Sequence, residues 1–209
     1  AVMLLERQIF TEPWTRRMYL SDLTKNELAT YLAVRPAPAI VADAGWATGD
    51  WQQGAVPPGA TVAAEDAPVL TVATSEDHPA GAEMQLMAPI LGWGGFWLMV
   101  DEAHIATVAS HPDYRGCGLG QWLMLELMAA AQSRGAAIVT LEVRAGNAPA
   151  IKLYDKLGFL VAGERVAYYR DGETALIMTT PRLDEPALQE RLASARQDAL
   201  NKLAHCFGA

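Results

Sequence analysis

The sequence predicts an α/β fold of the α+β kind, a mixed central β-sheet flanked by helices. Three observations lead there. From residue 90 onward, strand-like and helix-like runs follow one another as β–β–α–β–α–β–β, unlike the uniform succession of a doubly wound domain. Residues 36–89 are rich in Pro, Gly and Ala with poor periodicity, and read as an insertion. Leu183–Leu203 is charged and amphipathic, which marks an extra C-terminal helix. The predicted division is a main domain over 1–182, containing the insertion, and a helical appendage over 183–209.

Element by element, Met3, Leu4, Leu5, Ile9 and Phe10 around Glu6, Arg7 and Gln8 predict a helix over 3–10, broken by Thr11-Glu12-Pro13-Trp14. Thr15 is placed to cap a second helix running to about Leu23. Leu28–Val34 reads as a strand. Inside the insertion, Ile40-Val41 and Val69–Ala73 are short strand-like pieces, and Trp46, Trp51 and Pro57-Pro58 are expected to pack on the body, with covering a site as the alternative. Ile90–Val100 and His104–Ser110 are apolar strands. Gly92, Gly94 and Gly95 in the first mark bends or close backbone approach. Leu119–Gln132 has helical spacing and ends at Gly135. Ala136–Val143 is a strand. Ala148–Leu157 is a short helix with Asn147 as cap, Pro149 in its first turn and Gly158 as stop. Phe159–Tyr169 and Thr174–Met178 are expected to form a hairpin around Asp171-Gly172.

Bulk composition narrows the function classes. The 209 residues are 51% apolar and 19% charged, with a formal net charge of −8. An acidic chain is a poor coat for nucleic acid, so no direct nucleic-acid partner is expected. No apolar run of about 18 residues predicts a membrane span, and no basic-then-apolar leader opens the chain. The absence of an initiator Met at Ala1 is read as a natural start lying upstream. Cys117 and Cys206 lie far apart in sequence and lack metal spacing, so neither a disulfide framework, a zinc site nor any other metal is expected. A reducing, cytoplasmic location is the expectation.

The densest chemistry lies at Arg115-Gly116-Cys117-Gly118-Leu119-Gly120, between a strand and a helix. Glycines let the backbone approach a ligand closely. The following helix N-terminus offers unpaired N–H donors and a favourable dipole, a site suited to a pyrophosphate. The turn lacks the Lys-Ser/Thr ending of a P-loop and the Gly-x-Gly-x-x-Gly spacing of dinucleotide folds. Taken alone, it could equally be a glycine-rich turn without a ligand.

Further residues carry a family resemblance. Arg115, Gly118 and Gly120 fill the Arg/Gln-x-x-Gly-x-Gly/Ala pattern, and the run Val108–Gly120 resembles the signature of GNAT acetyltransferases. Asn147, Ala150, Tyr154, Gly158 and Phe159 fill a second block of that superfamily. Leu141–Tyr154, Tyr168-Tyr169, Asp171-Gly172-Glu173 and Ala175–Met178 look like RimI-type ribosomal-protein alanine N-acetyltransferases, and Glu6, Phe10 and Pro13-Trp14 fit the first helix and loop of that group. The resemblance spans roughly 3–34 and 90–180. It implies a GNAT fold with the insertion after the second family strand, and a first family strand that would precede Ala1.

The resemblance also implies acetyl-CoA as co-substrate. Its pantetheine and thioester would lie along Val108, Ala109 and Ser110, and its pyrophosphate on Arg115, Gly116, Cys117, Gly118, Leu119, Gly120 and Gln121. Asn147 would touch it near the second helix. Glu142 would act as general base through water and Tyr154 as general acid to the coenzyme sulfur. A phenol with a pKa near 10 holds its proton at neutral pH. Tyr168 and Tyr169 would clamp a peptide acceptor. The residues themselves leave alternatives open: Glu142 on a solvent face beside Arg144, Tyr154 packed on Phe159, the two tyrosines simply packed, and His104 and His111 as surface residues.

Acceptor chemistry favours an α-amine. With a pKa near 8, about a tenth of it is neutral at pH 7, against less than about a thousandth of a lysine amine, a gap of roughly 3 kcal/mol. The expected function is N-acetylation of a protein N-terminus, of ribosomal-protein type. Acetylation of a small amine such as a polyamine or aminoglycoside, or a non-catalytic acyl-CoA sensor, are the alternatives.

Overall fold

A computed structural model describes residues 2–36, 70–73 and 90–207. Its elements are α1 (Val2–Ile9), α2 (Arg16–Lys25), β1 (Ala29–Pro36), β2 (Leu70–Ala73), β3 (Gly92–Met99), β4 (Glu102–Ser110), α3 (Leu119–Ser133), β5 (Ile138–Arg144), α4 (Ala148–Lys156), β6 (Leu160–Arg165), β7 (Ala175–Thr179) and α5 (Pro186–Phe207). A single 3-10 turn, Pro112–Tyr114, follows β4. The strands form one mixed sheet in the order β2-β1-β3-β4-β5-β7-β6, parallel only between β4 and β5.

Local chemistry explains most boundaries. The Thr15 hydroxyl accepts from the Met18 N–H and starts α2. Asn147 accepts from the Ala150 N–H and starts α4, with Pro149 in its first turn. Of the predicted Val69–Ala73 piece, Leu70–Ala73 is β2, paired with β1. Ile40-Val41, Trp46, Trp51 and Pro57-Pro58 lie outside the described residues.

Each sheet face has its own core. Leu32, Phe96, Ile105, Val139, Leu141 and Met178 bury against α3 and α5, which bring Leu123, Leu127, Ala195, Ala199 and Leu203. The opposite face packs Trp93 and Ala109 against Leu5 of α1 and Tyr19 of α2. The Glu6 carboxylate is 1% exposed there. It accepts from the Tyr19 hydroxyl and, at 2.9 Å, from the Trp14 N–H. A buried carboxylate needs such partners, and this one fixes the α1–α2 corner.

One irregularity positions the site. Gly95 pairs with Thr107 but Phe96 pairs with Ile105, so Ala106 is an extra residue on β4. Such a bulge reverses the side-chain alternation and bends the strand. Ala103 and Ile105, before it, enter the α3 core; beyond it Val108 leans on that core and Ala109 joins the other. Pairing of β4 with β5 runs from Glu102↔Ile138 to Ile105↔Leu141 and stops where the bulge begins. Beyond that point the two strands diverge.

Two expectations need correction here. The strand predicted to reach Tyr169 ends at Arg165. Val166–Glu173 leaves the sheet through Ala167, which has φ +52°. Cys117 and Cys206, far apart in sequence, are joined in a disulfide with Cα atoms 5.6 Å apart. Sequence distance misled because α5 folds back along α3, bringing the chain end to the turn before α3.

Candidate active site

The strand divergence leaves Ala106–Ser110 of β4 and Glu142–Arg144 of β5 without ladder partners on their facing edges. Val108, Ala109 and Ser110 therefore offer backbone groups to whatever fills the opening. This is the stretch expected to carry the pantetheine.

At the end of β4, the chain passes through the 3-10 turn to Gly116 and Gly118, whose φ angles are +83° and +87°. Only glycine adopts this region without strain. The Cys117 N–H donates to the Tyr114 carbonyl, and the first N–H bonded at the start of α3 belongs to Trp122, which donates to Gly118. Among the described residues, the N–H groups of Gly116, Gly118, Leu119, Gly120 and Gln121 have no acceptor. These donors, with the helix dipole behind them, form an anion cradle. The Arg115 side chain is exposed beside them. Gln121 offers its backbone alone, because its buried side chain donates to the Ala195 carbonyl and accepts from Lys156. The Asn147 side-chain oxygen is engaged as the α4 cap.

On β5 the core residues Val139, Leu141 and Val143 alternate with Thr140, Glu142 and Arg144. The Glu142 carboxylate is 10% exposed. His104 Nε2 lies 2.7 Å from Glu142 Oε2, and the Arg165 guanidinium lies 3.3 Å from Oε1. His104 is held in turn by stacking on Trp97, whose indole N–H donates to Asp22 at 2.7 Å. Asp22 also accepts from the Tyr31 hydroxyl at 2.7 Å. Glu142 is therefore no solvent-face partner of Arg144. Arg144 instead binds Asp171 at 2.8 Å and Glu173 at 2.7 Å, and its guanidinium lies 3.8 Å from the centre of the Tyr169 ring.

Glu173 also accepts from the Gly146 N–H at 2.8 Å, tying the β5–α4 corner to the β6–β7 loop. The Arg144 hydrogen bond, foremost, holds the Glu173 carboxyl below its ordinary range. In the same loop Tyr168 and Tyr169 meet edge to face, with Arg165 over Tyr168. The Arg170 N–H reaches back to Glu12 in the α1–α2 corner at 3.3 Å.

Tyr154 packs on Phe159, with ring centres 5.7 Å apart. Burial, with a smaller contribution from Tyr169, pushes its phenol up to about 12. Burial also raises the Tyr169 phenol, Arg144 opposes this, and Glu142 adds to it. Tyr169 thus lies within electrostatic reach of Tyr154, Glu142 and Arg144.

The fold sets Tyr169 on Arg144, two residues after Glu142, and against Glu142 it sets His104 and Arg165, which the sequence reading left out of the site. The signal for His104 was strand order: paired with Thr140, it stands one step before Glu142 on the same face. His111 is buried rather than surface-exposed, at 6%. It accepts from the Asp113 N–H, and burial lowers its pKa. Among the described residues, no group of three His, Cys, Asp or Glu is placed to hold a metal.

Residues 3–159 match the acetyltransferase (GNAT) family. The chain belongs to that family. The fold and enzyme class expected from the sequence, a GNAT N-acetyltransferase with a C-terminal helix, stand with that membership. A Bacillus subtilis (strain 168) protein, provisionally assigned as a ribosomal protein bS18-alanine N-acetyltransferase, is 29% identical over 175 residues, covering 83% of each chain. The ribosomal protein bS18-alanine N-acetyltransferase of Escherichia coli (strain K12) is 46% identical over 87 residues, which are 40% of this chain and 59% of that protein. The crystal structure of the ribosomal-protein-S18-alanine N-acetyltransferase from Escherichia coli superposes with a TM-score of 0.54 at 25% identity, over 86% of this GNAT chain and 84% of that one.

Proposed function

We propose that this GNAT chain transfers the acetyl group of acetyl-CoA to the N-terminal α-amine of a protein, a ribosomal protein being the acceptor. One observation carries the reading. The β4–β5 opening has an anion cradle at one end and the Glu142–His104 pair on its wall. The similarity to the two bS18-alanine N-acetyltransferases supports the acceptor class. A cytoplasmic location, where ribosomal proteins are made, goes with it.

Acetyl-CoA would supply an activated acetyl thioester. The N–H groups of Gly116, Gly118, Leu119, Gly120 and Gln121 hold its diphosphate, with Arg115 and Cys117 in the same turn and Asn147 beside it. The β4 edge at Val108, Ala109 and Ser110 aligns the pantetheine. Backbone N–H groups beside the bulge polarise the thioester carbonyl. Glu142, oriented by His104 and Arg165, takes the amine proton through water, and Tyr154 gives its proton to the departing sulfur. A phenol at about 12 stays protonated throughout neutral pH, so the donor is always loaded. Tyr168 and Tyr169, at the mouth, clamp the acceptor's first residues. The domain division fits this reading, with 1–182 as the catalytic body and 183–209 as the appended helix.

Incubation with acetyl-CoA and a panel of amines tests the proposal. Release of free coenzyme with an alanine-starting ribosomal-protein peptide, acetylated at its α-amine, is expected. Turnover confined to polyamines or aminoglycosides would replace the acceptor, and coenzyme binding without any turnover would make the chain a sensor.

A further inference from the structure

The Cys117–Cys206 disulfide sits inside the proposed coenzyme cradle rather than beside it. Cys117 lies between Gly116 and Gly118, and Cys206 is in the last turn of α5. Helix α5 is seated closely on this turn. A Cβ placed on Gly118 would lie 3.1 Å from the Ala199 carbonyl oxygen and 3.1 Å from Lys202 Cβ. Tyr114 stacks on Phe207, the residue after Cys206, with ring centres 5.1 Å apart. Near the contact, Asp198, Lys156 and Lys202 are joined in one ion-pair cluster, and Arg115 is exposed two residues before Cys117.

We propose that Cys117 and Cys206 form a reversible dithiol–disulfide site that sets the chain's affinity for acetyl-CoA, a proposal that rests on the cradle reading above. Cys206 is exposed, so a reductant can reach the bond. A disulfide in a reducing compartment is as a rule transient, and redox sensing is one use of it. The thiolate of a dithiol reductant attacks Cys206 Sγ; the Sγ–Sγ bond breaks and Cys117 departs as a thiolate. The reductant's second thiol displaces Cys206, and the reductant becomes a disulfide. Two electrons and one proton pass to the protein, the proton resting on Cys206 while Cys117 stays a thiolate and the reductant's other proton goes to solvent.

The same chemistry fixes the direction. Cys117 leaves at the N-terminus of α3, where unpaired N–H groups and the helix dipole favour a thiolate. That thiolate competes with the diphosphate for one set of donors. The disulfide has no charge and also anchors the turn in its open form. Oxidised protein therefore binds acetyl-CoA more tightly, and by linkage bound acetyl-CoA shifts the dithiol–disulfide equilibrium towards the disulfide by the same factor.

Calorimetry on the full chain tests this, with acetyl-CoA as ligand because it carries no free thiol. Reduction by a phosphine should weaken binding about tenfold, equivalent to about 1.4 kcal/mol. Cys206→Ser should bind at the reduced value whether or not reductant is present. At equilibrium in a dithiothreitol redox buffer, saturating acetyl-CoA should lower the fraction of protein carrying two free thiols. Equal affinity of oxidised and reduced protein, or two free thiols persisting after mild oxidation, overturns the switch alone. No binding in either form overturns the cradle and the switch with it.

Discussion

Replacing Gly118 by alanine should destabilise the protein more than replacing Gly116, although both glycines have a positive φ of nearly the same size. Their φ angles are +83° at Gly116 and +87° at Gly118. An alanine in the left-handed region costs about 1–2 kcal/mol at either position. The surroundings differ. A Cβ on Gly116 meets nothing within 4 Å, whereas one on Gly118 lies 3.1 Å from both the Ala199 carbonyl oxygen and Lys202 Cβ. Ala199 is fully buried and belongs to the interior of α5, so its backbone yields only if the helix shifts. Overpacking of this kind adds roughly 1–3 kcal/mol. At about 2–4 °C per kcal/mol for a chain of this size, Gly118→Ala should melt roughly 2–12 °C below Gly116→Ala. Thermal unfolding followed by far-ultraviolet circular dichroism, on oxidised protein, reads the difference. Identical melting curves would show that α5 does not rest on the turn.

Other expectations concern the chemistry. Glu142→Gln should lower kcat about 10²–10⁴-fold, the usual range for loss of a general base, and Tyr154→Phe should lower kcat with little change in acetyl-CoA affinity; unaltered rates would remove these residues from the mechanism. Glu173→Gln breaks the tie between Arg144 and Gly146 and should raise the peptide KM several-fold with little change in stability, because the pair is solvent-screened; an unchanged KM would dissociate the loop from acceptor binding. Above pH 10 the unfolded chain releases phenol protons that folded Tyr154 keeps up to about 12, so stability falls as pH rises through this window, by up to roughly 2–3 kcal/mol. Urea midpoints at about pH 9 and 11 should therefore converge in Tyr154→Phe relative to the unsubstituted chain, and an equal drop in both would refute the assignment.

Much of the fold was legible because its signals are local. Asn147 before Pro149, Thr15 before a helical run, and apolar alternation through β4 and β5 each point to one element. The β4 bulge was not legible: Ile105-Ala106-Thr107-Val108 reads as unbroken strand, and buried and half-buried positions keep alternating straight through it, so the pattern does not betray the slip. His104 met Glu142 only through the parallel β4–β5 pairing, which strand-by-strand reading cannot supply. Tyr168 and Tyr169 looked like strand residues because they continue a β-favouring run, yet the chain turns at Ala167 and the Glu173 clamp holds them in a loop. The disulfide depended on the path of α5, which an amphipathic pattern does not specify.

In the proposed function, backbone amides of the β4–α3 turn grip the coenzyme diphosphate. Amide chemical shifts in a ¹⁵N-labelled sample, recorded with and without acetyl-CoA, test it residue by residue. The largest changes should fall on Gly116, Gly118, Leu119, Gly120 and Gln121. Unmoved signals at those five, with changes clustered elsewhere on the chain, would contradict it.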